Sequence, residues 1–182
     1  MTRSLLTRLA AATAVMALPA MELSAQAPDP APSRAAIERL KFMEGTWRGT
    51  AWMMRGNERT QTDMVEIVER KLGGTVLLVQ GLGTVADPGA ATRRTVHDAL
   101  AVISFDPRSG AYGMRSYLGS GQFGDFTLTL VDGGVTWTRE VPGGRIRNTA
   151  RYTADEWHEI GEFSRDDTTW TQVMEIKLRR ES

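Results

Sequence analysis

From residue 45 onward, apolar and polar positions alternate in short runs, and each run is closed by a cluster of Gly, Asp, Asn or Pro. A period of two marks a strand with one face toward a core and the other toward water. The runs predict strands at about 45–54, 61–70, 74–83, 95–105, 110–118, 123–131, 134–141, 144–153, 156–164 and 168–179. No long helical period falls between them, so parallel βαβ units are not expected. Ahead of the strands, Pro28-Asp29-Pro30-Ala31-Pro32 reads as extended linker, and Ser33 as the N-cap of a short helix running to Met43. Ala36, Leu40 and Met43 recur there at helical spacing.

Four turns in the second half of the chain set a register. Asp132-Gly133 pairs Leu130 with Val135, and Pro142-Gly143 pairs Glu140 with Arg145. The loop from Thr153 to Glu156 pairs Tyr152 with Trp157, and the loop from Arg165 to Thr168 pairs Ser164 with Thr169. Opposed residues share a face, and faces alternate along each strand. One face then collects Leu128, Leu130, Val135, Trp137, Ala150, Tyr152, Trp157, Phe163, Trp170, Met174, Ile176 and Leu178, while Thr, Arg and Lys crowd the other. Four independent turns yielding one apolar face indicate a meander. The expected fold is all-β: a single up-and-down antiparallel β-barrel of about ten strands with a short N-terminal helix.

Composition narrows the class. The chain has 182 residues, with Lys plus Arg and Asp plus Glu equal at 22 each. That length suits one domain with a real core, and the balanced charge gives nucleic-acid binding no electrostatic support. There is no cysteine, which excludes disulfides and thiol chemistry. Arg3 and Arg8, the apolar stretch Leu9–Ala20 and the small pair Ala25 and Ala27 form a secretory leader pattern, too short to span a bilayer. The expected organisation is a signal peptide at 1–27, a linker at 28–34 and a barrel domain at 35–182, with the mature protein periplasmic or secreted and no stable membrane span.

Gly45-Thr46-Trp47-Arg48-Gly49 opens the first strand just after the short helix. A Gly-x-Trp there resembles the signature of lipocalins and their relatives. The resemblance implies that Trp47 plugs the closed end of a barrel and that a basic residue near the chain's end, Arg179 or Arg180, packs over it. Ile103-Ser104-Phe105-Asp106-Pro107, the run from Glu159 to Asp166, and Trp170 to Leu178 are similar to a lipocalin-like bacterial domain family of unknown function. Haem-binding nitrobindin-like barrels also begin with Gly-Thr-Trp-x-Gly and use an axial histidine. The candidates for that role are His97 and His158, and the register puts His158 outside.

The inward face also carries polar groups. Trp137, Asn148 and Gln172 fall in one cross-strand layer, Glu159 in the next beside Ala150 and Met174, and Arg139 with Phe126 and Ile146. Unpaired polar groups are costly in a solid core, whereas a few of them in apolar walls suit a small-molecule site. The candidate ligand-binding residues are therefore Trp137, Arg139, Asn148, Glu159, Gln172 and His97. No catalytic or metal-ligating set stands out, and no cofactor is specified. Gly119-Ser120-Gly121-Gln122-Phe123-Gly124 has the spacing of a dinucleotide loop but precedes a strand, so it reads as a hairpin loop. The leading expectation is a binding protein for a small, largely apolar molecule. An isomerase, cyclase or hydrolase in the same cavity, with Glu159 working beside His97 or Arg139, and a haem module are the alternatives, and a closed barrel acting through its outer surface is a further one. Expression of the full chain in a bacterium tests the leader: mass spectrometry of the product should give Pro28 as the first residue, and an uncleaved Met1 product retained in the cytoplasm would contradict it.

Overall fold

The computed structural model describes residues 29–181 apart from Ala90, so the leader expected at 1–27 lies outside the described residues. These form one helix, α1 (Ala31–Glu38), and ten strands: β1 (Gly45–Arg55), β2 (Glu58–Lys71), β3 (Val76–Ala86), β4 (Arg93–Asp106), β5 (Ala111–Leu118), β6 (Phe123–Val131), β7 (Gly134–Val141), β8 (Gly144–Tyr152), β9 (Glu156–Ser164) and β10 (Thr171–Arg180). Each strand pairs antiparallel with its chain neighbour, and β1 pairs with β10, so the sheet closes into an up-and-down barrel with no free edge.

Three of the four expected turn registers hold: Leu130 faces Val135, Glu140 faces Arg145 and Tyr152 faces Trp157. The fourth does not. Ser164 does not pair with Thr169; instead Phe163 faces Thr171 and Glu162 faces Gln172. The register then shifts at Val173, so that Gly161 faces Met174. The cause is local. Asp166 Oδ1 accepts the backbone N–H groups of both Thr168 and Thr169 at 2.9 Å, which closes the loop on itself and keeps these residues out of the ladder. Val173 is the extra residue of a bulge, which restores the alternation for Met174, Ile176 and Leu178. Gln172 consequently stands exposed on the outer face, opposite Glu162. The ring of Trp170 borders the barrel interior, as expected, and stacks on the guanidinium of Arg147 at 4.1 Å.

The helix begins at Ala31, inside the stretch expected to be extended, and ends at Glu38 rather than Met43. Asp29 Oδ1 accepts the Ala31 N–H at 2.9 Å, and Pro32 in the first turn forfeits no intrahelical bond. A 3-10 turn at Lys41–Met43 leads into β1. Helix and turn lie across one end of the barrel, where Ile37 and Leu40 are fully buried. The Tyr112 hydroxyl donates to the Ala36 carbonyl at 2.9 Å and Arg34 Nε to the Gly73 carbonyl at 3.0 Å.

Trp47 seals that end. It is fully buried, its N–H donates to the Met43 carbonyl at 2.9 Å, and its ring meets Tyr152 and Trp157 edge-on at 5.8 and 6.0 Å. The guanidinium of Arg180 lies 4.0 Å from the ring centre. It also donates to three backbone carbonyls, those of Phe42, Glu44 and Ala154. Arg180 is thus the closing arginine of the expected pair, while Arg179 points outward to Asp155 and Glu156. These two neighbours should behave differently in urea unfolding. Arg180→Met leaves part-buried carbonyls without a donor and should cost about 2–4 kcal/mol, whereas Arg179→Met should stay within about 0.5 kcal/mol. Equal effects would contradict the seal.

Candidate functional site

Away from Trp47 the barrel is hollow. A cavity of about 1500 Å³ runs from the aromatic floor to a mouth bordered by Arg55, Gly121, Phe123, Arg139, Glu140 and Arg145. Its wall is largely apolar, with Met64, Val79, Ile103, Met114, Leu128 and Ile176 among the lining residues. Ala99 and Ala101 on β4 keep the side-chain volume low there. Of the residues expected at the site, Trp137, Arg139, Asn148, Glu159 and His97 line this cavity and Gln172 does not. The layer expected to hold Gln172 is instead Trp137, Asn148, Gly161 and Met174. The next layer contains Val135, Ala150, Glu159 and Ile176.

The polar groups fall into two levels. At the floor, Asn148 and Glu159 are both nearly inaccessible, and the Asn148 Nδ2 donates to Glu159 Oε1 at 3.1 Å. Glu159 does not partner His97 or Arg139. It faces another acid, Glu66 on β2, which sequence reasoning did not single out. Glu66 is 6% exposed, lines the same cavity, and forms no hydrogen bond or ion pair among the described residues. A side chain at Gly81 would bring a Cβ within 2.6 Å of Glu66 Oε1, so the missing side chain of Gly81 is the space that carboxyl occupies. Three further buried polar atoms at this level have no partner among the described residues: Asn148 Oδ1, the Tyr152 hydroxyl and the Trp157 N–H.

Burial dominates the electrostatics of the floor. Desolvation raises the pKa of Glu159 to about 7, partly offset by the Asn148 amide and the neighbouring Trp157 N–H. That indole lies near Glu159 but outside hydrogen-bonding geometry. Desolvation also raises Glu66 well above the carboxylate range, and the charge of Glu159 adds to the effect. Burial, then the same two acids, push Tyr152 up as well. Both acids are thus shifted toward their protonated forms, with Glu159 near its midpoint at neutral pH. This is the behaviour of two acids that share a low-dielectric space with no cation.

Toward the mouth, His97 lines the cavity, and burial lowers its pKa. Its parity, open from sequence, is set by a bulge at Val96: Gly83 faces His97 while Thr84 faces Thr95. Arg139 stands at the mouth with no ion pair or hydrogen bond among the described residues, and partial burial pulls its pKa down. His158 lies on the outer face, 2.9 Å from Glu175, as its register implied. His97 is therefore the one histidine of the chain that faces the lumen.

No family model matches the chain, and no curated protein matches it. Solved structures do. The crystal structure of Rv2717c from M. tuberculosis superposes with a TM-score of 0.58 at 12% identity, covering 81% of this chain and 98% of that one. The S-type phycobiliprotein lyase CPES from Guillardia theta superposes with a TM-score of 0.53 at 8% identity, covering 85% of this chain and 98% of that one. At such identities the likeness concerns the fold: a ten-stranded antiparallel barrel of lipocalin-like form.

The acids of the floor make stability depend on pH. A carboxyl whose pKa is higher folded than unfolded withholds no stability below its unfolded value and lowers it progressively as pH rises to the folded value. For Glu159 the window runs from about 4.5 to about 7, and the loss is about 3 kcal/mol. His97, with a lowered pKa, acts in the opposite sense, so the readout is the difference between wild type and Glu159→Gln. That difference should grow in favour of the variant between pH 5 and pH 8 in urea unfolding. A constant difference, or one that shrinks, would show that Glu159 is solvated.

Proposed function

We propose that this chain is an exported, lipocalin-like binding protein that takes a small, largely apolar molecule into the barrel lumen. The observation that carries the reading is the cavity itself: about 1500 Å³ of space inside a sealed-floor barrel, walled mainly by apolar side chains. Ligand pockets of roughly 300–1,000 Å³ accommodate drug-sized molecules, and the open mouth accounts for part of the larger figure here. The apolar wall supplies affinity at about 25 cal/mol per Å² removed from water. Trp137, Asn148 and Glu159, with Arg139 and His97 nearer the mouth, orient the polar end of the guest. Export rests on the leader pattern of residues 1–27, and kinship with the lipocalin-like bacterial domains rests on the segments around Trp47, Ile103 and Glu159.

A haem module would have His97 as its only lumenal histidine and would leave the two acids of the floor without a role, so the apolar-guest reading accounts for more of the site. The test uses N-phenyl-1-naphthylamine, a neutral probe whose emission rises on leaving water. It should bind the mature protein, and Ala99→Trp, which fills the lumen, should weaken binding at least about tenfold. Thr129→Trp, on the exposed face of β6, should leave it unchanged. Equal effects, or no emission change with wild type, would overturn a lumenal site.

A further inference from the structure

The acids at the floor pose a question that an apolar guest alone leaves unanswered. Glu66 and Glu159 are both more than nine-tenths buried. Between them they have one hydrogen bond among the described residues, from Asn148. No basic side chain among the described residues pairs with them. Arg180, the nearest basic group in the register, is engaged by the Trp47 ring and by the carbonyls of Phe42, Glu44 and Ala154. The other bases that line the cavity, Arg55, His97, Arg139, Arg145 and Arg147, form no ion pair with either acid among the described residues. Buried carboxylates are ordinarily paired, so this floor has an unmet requirement for positive charge.

We infer that the floor of the lumen is a recognition site for an organic cation, a protonated amine carried on an apolar body, received by Glu66 and Glu159. The inference rests on the binding function proposed above and specifies the guest's chemistry.

The unpartnered atoms match this guest in number and kind. An ammonium group offers three N–H donors and accepts nothing. The floor offers the Glu66 carboxyl, the Asn148 Oδ1 and the Tyr152 hydroxyl oxygen as acceptors that lack a donor among the described residues. The Tyr152 O–H and the Trp157 N–H are the unpartnered donors among these atoms, and the indole lies near Glu159. The rings of Tyr152 and Trp157, 4.9 Å apart, add aromatic surface beside a cation. Gly81 reserves the volume for the Glu66 carboxyl. A carboxylate-headed guest would meet two acids at the floor and no base. A neutral hydroxyl guest offers the acids one donor and no charge, and a neutral carbonyl guest would satisfy them only in their protonated form.

That last point gives the two occupants opposite pH behaviour. The groups that face the lumen and titrate nearby are Glu66, Glu159 and Tyr152 at the floor, and His97 above them. Arg139 and the rim pairs formed by Arg145 with Glu140 and Asp167 stand at the mouth. To receive a cation, an acid of the floor must first give its proton to the solvent. Amine affinity therefore rises with pH until the acids are ionised, and binding releases protons. A neutral acceptor prefers the protonated acids, so its affinity falls over the same range.

The experiment is isothermal titration of the mature protein with n-octylamine, 1-octanol and octanoate, which share one chain and differ in the head group. At pH 8 octylammonium is expected to bind at least tenfold more tightly than octanol. Its affinity should increase between pH 6 and pH 8, with a binding enthalpy that varies with buffer ionisation as protons are released. In Glu66→Gln/Glu159→Gln the preference for the amine should vanish while octanol still binds. Octanol or octanoate binding as well as the amine in wild type, or amine affinity that falls with pH, would overturn the cation site and leave the lumenal binding function standing. Failure of all three, together with failure of N-phenyl-1-naphthylamine, would overturn both.

Discussion

Two carboxyl groups held in an apolar space without a counter-cation are the constraint around which this barrel is arranged. Burying an ionised carboxylate alone is among the most expensive acts a folded chain can perform, and the protein tolerates it by keeping protons on the acids. Burial lifts both acids well above the usual carboxylate range, Glu159 to about 7. Their surroundings support this state at several points. Gly81 gives up a side chain to leave room for Glu66, Asn148 supplies one donor to Glu159, and the alanines of β4 keep the space above them open. A core selected for stability alone would place Leu or Ile at such positions.

The ladder makes that state possible. Alternation along ten consecutive antiparallel strands delivers one side chain in two to the lumen, and closure of β1 on β10 leaves no edge through which water reaches it. The floor is sealed by Trp47, with Arg180 stacked on it and the helix laid across the end. Both irregularities of the sheet, at Val96 and at Val173, lie in the mouth half, while the pairings that carry Trp47, Glu66, Ala150 and Glu159 are regular. Regular pairing sets the positions of the aromatic and acidic residues of the floor.

Much of this was legible in the residues. Asp132-Gly133, Pro142-Gly143 and the loop from Thr153 to Glu156 are short turns whose geometry leaves one register, so Trp137, Asn148 and Glu159 could be placed on the lumen face from sequence. Gly45-Thr46-Trp47 marked the plug. The errors arose where a connection was longer than its ladder required. The loop around Asp166 uses side-chain acceptors in place of pairing, and periodicity alone cannot foresee an extra residue at Val173, so Gln172 was placed on the wrong face. Glu66 was missed for a different reason. The signal for it is the pair Gly56-Asn57: a two-residue hairpin there opposes Arg55 to Glu58 and, counted along the strands, Trp47 to Glu66. Starting the second strand at residue 61 left that register undetermined. The segment Thr62 to Glu69 carries apolar and acidic residues on both parities, so composition could not replace it.

The central claim, that two acids share the floor without a cation, is tested most directly by ¹³C NMR titration of the glutamate carboxyl resonances in the guest-free mature protein. Glu159 should titrate near 7 and Glu66 well above the ordinary glutamate value, with the Glu66 transition moving to lower pH in Glu159→Gln. Ordinary glutamate midpoints for both residues, about 4.3, would mean that water or a cation already satisfies the floor, and would contradict an uncompensated pair of acids.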